Sequence, residues 1–213
     1  MEEASEGRTV LVAGSISPFG AYNEIAGFEA PSLNVVRDSY REQAETLAEE
    51  GVDLLLLEML RDVERAGVIM EAALATGIPV WAGFSSKVET GKPIMALSEY
   101  TILDGVTFED MFDSVTSLGG DMAIAMHSEV DYIAPTLEAM KDKWSGPLGA
   151  YAHSGYWARP DWKFDAVISP QDYLSEARGW LEAGARLIGG CCGIGPEHIR
   201  LLSENLTRAS DSN

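Results

Sequence analysis

Cysteine is scarce in this 213-residue sequence, which holds two, and histidine occurs three times. Two cysteines cannot build the disulfide framework of a small secreted domain. Basic residues are also few: 15 Lys and Arg stand against 34 Asp and Glu, a formal charge of -19. A surface so acidic repels nucleic acid and anionic membrane alike, so neither is expected as a partner. No apolar run reaches the roughly 18 to 20 residues that a membrane helix needs. The opening "MEEASEGRTV" lacks the basic and apolar regions of a secretory signal. The expectation is a soluble, cytoplasmic protein.

What the chain does have is a rhythm. Short apolar runs alternate with amphipathic segments: "TVLVAG", "VDLLLLE", "PVWAGFSS", "MAIAMH", "PLGAYAHSG" and "RLIGG" read as strands. Helices are expected near 34–50, 62–77, 107–118, 131–144, 169–184 and from Pro196 onward. Ser169 followed by Pro170 is a good helix start, a capping hydroxyl before a residue already fixed at helical φ. Runs apolar on both faces belong to a buried parallel sheet. The class is therefore α/β, with six strand–helix units. Either an open doubly wound sheet or a (β/α) barrel, incomplete at about six units of eight, fits that count.

Polar, reactive side chains gather where these strands end. Glu58 closes one run, Ser85 and Ser86 another, His127 and His153 two more, and Cys191 with Cys192 follow the last. In parallel α/β folds that edge carries the active site. The adjacent cysteines in "RLIGGCCGIGPEHI" allow several readings. They are small buried hydrophobes, or zinc thiolates completed by His127 or His153, or bystanders in a glycine-rich phosphate loop before a helix. A bond between neighbouring cysteines is a strained ring and is set aside.

The segment "GARLIGGCCGIGPEHIRLL" closely resembles the C-terminal signature of the homocysteine S-methyltransferases. That family includes the betaine and S-methylmethionine enzymes and the homocysteine module of methionine synthase. Further segments resemble it in the same order: "TVLVAGSISPFGAYN" its "LVAGSxGPxGAxL", "GVDLLLLEML" its "GxDLLxxETx", "PVWAGFSS" its "PVWxSFS", and "YAHSGYW" its "YPNSGExW". The resemblance runs from about Thr9 to Leu202.

It implies a zinc-bearing (β/α) barrel that moves a methyl group from an onium-type or other donor to the thiol of homocysteine or a similar thiol. Two of the family's three zinc thiolates match Cys191 and Cys192. The third, in a "GxNC" segment, aligns with "AIAMHSEV", where His127 stands instead. Glu58 matches a glutamate that contacts the amino group of homocysteine, and His153 stands where the family has Asn. Ser85, His153, Ser154 and Trp81 are candidates to hold substrate or donor. Trp81, Phe19, Tyr22 and Trp157 offer aromatic faces to a cationic methyl group. Ser17 replaces a family glycine, so donor specificity is not carried over.

The family's first two strand–helix units, including an Asp-Gly-rich strand that helps hold homocysteine, have no counterpart in this sequence. That leaves three readings: a fragment, a barrel completed by a companion chain, or one repaired by homo-oligomer formation; a non-catalytic zinc- or homocysteine-binding module is the alternative to an enzyme. Residues 1–8 are expected to be disordered, 9–205 to form the barrel domain, and 206–213 to fray.

Overall fold

The computed structural model describes residues 9–18, 31–96, 105–158 and 161–206. Six parallel strands form one sheet in the order β1 (Ala13–Ile16), β2 (Leu54–Leu60), β3 (Val80–Phe84), β6 (Met122–Glu129), β7 (Leu148–His153) and β10 (Ala185–Ile188). Two short antiparallel hairpins sit beyond it: β4 (Ser86–Lys87) with β5 (Met95–Ala96), and β8 (Tyr156–Ala158) with β9 (Asp161–Lys163). The helices are α1 (Leu33–Glu49), α2 (Glu64–Leu74), α3 (Phe108–Thr116), α4 (Val130–Lys141), α5 (Pro170–Glu182) and α6 (Pro196–Asn205). Among the described residues the sheet order has two ends, β1 and β10, as an incomplete barrel of six units would have. The α/β class and the six units match the sequence; the two hairpins are additional to them. Among the described residues, no helix is long and apolar enough to cross a membrane.

Local chemistry explains the boundaries. Ser32, Thr107 and Ser169 cap α1, α3 and α5, each hydroxyl accepting from an amide three residues on. Two aspartates before strands close open amides at the lower edge: Asp53 accepts from Val12 N at 2.7 Å and Asp121 from Val80 N at 2.9 Å.

Each strand's alternation splits its side chains between two cores. The outer face packs Leu55, Leu57, Phe84, Ala125 and Ala150 against helix residues such as Ile69, Phe112, Leu137 and Trp180. The inner face gathers Ile124, Met126 and Tyr151, with Leu56, Met59, Trp81, Met122, Leu187 and Cys191 around them. Leu56 and Trp81 there are only half-buried.

Candidate metal centre and acceptor pocket

Two strands break their alternation at the C-terminal edge. Along β2, Leu57 pairs with Ala82 but Leu60 with Phe84, so β2 carries one extra residue. Along β6, Met126 pairs with Tyr151 but Glu129 with His153, again one extra. These are β-bulges, and each contains a non-glycine residue in the left-handed region: Met59 at φ 59° and His127 at φ 45°. A regular strand sends successive side chains to opposite faces. The bulges let Glu58 and Met59, and likewise Met126 and His127, face one cavity together. Such backbone costs on the order of 1–3 kcal/mol at each position and persists where the surroundings impose it. Here Met59 N–H donates to Met126 Sδ at 3.1 Å, joining one bulge to the other.

The cavity, about 280 Å³, is lined by Glu58, Met59, Arg61, Met126, His127, Trp162, Cys191 and Cys192. His127 Nδ1 lies 3.8 Å from Cys191 Sγ, which lies 3.8 Å from Cys192 Sγ. All three ligand atoms fall within 4.8 Å of one another. Two thiolates held about 2.3 Å from one tetrahedral ion lie about 3.8 Å apart, so the spacing fits a zinc-sized centre. The donor types, two sulfurs and an imidazole, suit the same ion. The two thiols are coupled to each other. Cys191 donates to Cys192 and is pushed above the ordinary range by that bond and by burial. Cys192 is pulled down to about 4 by the Cys191 thiol and the His127 ring.

The cysteine loop is fixed from several sides. Cys191 N–H donates to Ala152 O at 3.0 Å, and Ser154 N–H to Cys192 O at 2.8 Å. Gly189, Ile194 and Gly195 also spend their amides internally, on Ala150 O, Cys191 O and His198 Nδ1. A phosphate cradle needs those N–H groups pointing at the ligand, so this loop is poorly suited to one. His198, accepting from Gly195, uses its Nε2–H on Ile168 O at 2.8 Å, which ties α6 to the entry of α5.

Glu58 sits between two hydroxyls, Ser15 Oγ on Oε2 and Tyr151 OH on Oε1 at 3.1 Å. Burial, then the neighbouring Glu58, pushes the Tyr151 hydroxyl well above its usual range, so it stays a donor. His153 packs edge-on to His127, ring centroids 5.2 Å apart, and its Nε2 faces Glu129 Oε1 at 3.3 Å. Burial and the nearby His127 lower its pKa against the pull of Glu129.

Residues 1–206 match the family model of homocysteine S-methyltransferase. The chain belongs to this family. It is 30% identical over 202 residues to homocysteine S-methyltransferase YbgG of Bacillus subtilis, covering 89% of this chain and 59% of that protein. It is 28% identical over 207 residues to selenocysteine methyltransferase of Astragalus bisulcatus, covering 91% of this chain and 58% of that protein. The metallated form of the homocysteine methyltransferase MmuM from Escherichia coli superposes with a TM-score of 0.71 at 23% identity, over 95% of this chain and 64% of that one. Its oxidized form gives 0.69 at 26% identity, over 95% and 65%. The chain thus spans under two thirds of the length of these family members.

Against this family frame, the structure brings Glu58, His127, Cys191 and Cys192 into one cavity. Ser85 is buried beneath it, 4.0 Å from Met126 Sδ, and His153 stands behind His127. Ser154 secures the cysteine loop and accepts from Ile168 N at 2.8 Å. Trp81 packs lower on the inner face, against the cluster of Ile124, Met126 and Tyr151. Phe19 and Tyr22 lie outside the described residues, as does the side chain of Trp157. Several contributors carry no mark in the sequence as site residues: Ser15 and Tyr151 beside Glu58, and Met59, Arg61, Met126 and Trp162 along the cavity wall. Trp162 lies edge-on to His127 at 5.8 Å and His153 at 5.1 Å and stacks on Phe164 at 6.0 Å. Its one signal is the spacing of aromatics in "YWARPDWKF" across the β8–β9 turn.

Proposed function

We propose that the protein methylates the thiol of homocysteine or a close analogue, using zinc held by His127, Cys191 and Cys192. The observation that carries this reading is the clustering of those three ligand atoms within 4.8 Å, in the cavity that Glu58 also lines. Bound zinc would supply one thing, an ionised acceptor sulfur at neutral pH, since a free thiol with pKa about 8.5 is mostly protonated. The acceptor sulfur then forms a bond to the donor's methyl carbon, and the donor's own bond to that carbon breaks, its electron pair leaving with the donor. Glu58, steadied by Ser15 and Tyr151, takes the acceptor's ammonium group. Met59, Met126 and Trp162 line the pocket with apolar surface that excludes water from the reacting sulfur. A cytoplasmic setting suits the site, because it keeps both cysteines reduced.

The sheet ends β1 and β10 are where a second copy or a companion chain would add strands. The test is metal content of purified wild type and Cys192→Ser, alongside methylation of homocysteine with several onium donors. Stoichiometric zinc in the wild type, lost in the variant, with turnover supports the reading. Absence of zinc overturns it, and zinc without turnover by the chain favours a non-catalytic binding module.

A further inference from the structure

His127 is held in the left-handed region by more than the bulge itself. Ser128 Oγ donates back to Met126 O at 2.9 Å, closing a small ring around the His127 backbone. The same oxygen accepts from Ser86 N–H at 2.9 Å, which fixes the direction of the hydroxyl from β4. Ser86 Oγ lies 3.2 Å from Ser128 Oγ and 2.7 Å from Thr136 Oγ1, and Thr136 in turn donates to Tyr132 O in α4 at 2.7 Å. All three hydroxyl residues are fully buried. A core filled for packing alone has no need of hydroxyls, and leaving one unpaired costs about 1–3 kcal/mol. These three spend their bonds on one stretch of backbone, 126–128, and on the helix beside it.

The clasp bears on where His127 points. Ala125 faces the outer core and Met126 the inner one, so an unbroken alternation would send His127 outward among the helices. Left-handed backbone at that residue turns the ring into the cavity instead, beside Cys191 and Cys192. A non-glycine residue keeps such backbone only where its surroundings impose it. We infer that Ser128 is a positioning residue for the metal centre, its hydroxyl holding the His127 backbone in the conformation that delivers the nitrogen ligand. This rests on the zinc reading above and adds to it the device that keeps the ligand set at one nitrogen and two sulfurs. Ser86 serves that hydroxyl through its N–H group, whereas Thr136 braces only the outer end of the array.

Zinc affinity by chelator competition, with X-ray absorption at the zinc edge to count imidazole ligands, tests this on Ser128→Ala and Thr136→Val. Ser128→Ala should bind zinc about 10- to 100-fold more weakly, the usual cost of removing a group that orients a ligand, and should lose imidazole signal. Thr136→Val removes a hydroxyl from the same array but not the ring around His127, so its affinity and spectrum should match wild type. Wild-type affinity in Ser128→Ala, or an undiminished imidazole signal, overturns the inference. Equal weakening by the two variants also overturns it, because the array would then be structural only. A further check needs no variant: by reciprocity, zinc should slow hydrogen exchange at the Ser86 amide more than at the Val80 amide, which bonds Asp121 at the opposite edge. Equal slowing at both overturns the inference even if Ser128→Ala does not fold. Wild type that takes up no zinc removes the proposed function itself, which a failure confined to Ser128 does not.

Discussion

A side-chain carbon on Gly193 would fall 1.9 Å from the carbonyl oxygen of Ser154, in a loop where that glycine holds φ at 81°. Ser154 N–H in turn donates to Cys192 O, so the end of β7 and the cysteine loop are interlocked. Gly193→Ala should displace the loop and lower metal affinity sharply. The left-handed φ alone costs about 1–2 kcal/mol, and the backbone clash adds to it. Zinc titration and a urea melt would show both effects; unchanged zinc affinity would contradict the interlock.

His127 supplies the nitrogen of the candidate centre. Replacing it with alanine should weaken zinc by more than the 10- to 100-fold typical of losing a supporting hydrogen bond to a ligand. His127→Cys should retain stoichiometric metal, since thiolate is an equally good ligand. A competition assay with a colorimetric chelator separates the two, and tight zinc in His127→Ala would exclude the imidazole from the ligand set.

Glu58 and Tyr151 should differ in the depth of their effect. Glu58→Gln removes the charge that meets an ammonium and should weaken acceptor binding by about 10- to 100-fold, or roughly 1.5–3 kcal/mol. Tyr151→Phe leaves the carboxylate and removes one donor to it, a loss of about 1 kcal/mol. Equal losses on calorimetry would shift the main role from the carboxylate to the hydroxyl.

The depressed Cys192 pKa gives the metal-free protein a distinctive alkylation profile. The thiolate forms above about 4 and loses its charge only as the pH falls through that value. With iodoacetamide, the first equivalent should react at a nearly constant rate between pH 5.5 and 7.5. An ordinary cysteine would speed up about tenfold per pH unit over the same range. A tenfold-per-unit rise would show that the Cys191–Cys192 contact does not ionise either thiol.

Much of the scaffold could be read from the chain because strand and helix periods differ. The run "VDLLLLE" had to be a strand in a buried parallel sheet, and Glu58 had to sit toward that sheet's C-terminal edge. The same logic placed His127 and the two cysteines. It could not show that Met59 and His127 adopt left-handed backbone, since hydrophobic period says nothing about a one-residue bulge. Arg61 looks in sequence like one of several charges in "LRDVER", and only the bulge turns it inward. Tyr151 was masked for a different reason. It lies inside an apolar run, where an aromatic reads as core, and its hydroxyl becomes visible only beside Glu58.

His127 leaves the sheet at the end of β6, and the cysteines follow β10, with β7 lying between those strands. An ion shared by the three residues would therefore act as a cross-brace, spanning the top of β7 and fastening an end strand of the described sheet to its interior. Hydrogen bonding along β10 would then depend on a metal bound one loop away, and chelation should free amides of Ala185–Ile188 to exchange before those of β3. Loading with metal would in that sense also be a mechanical event, one that stiffens an edge of the sheet.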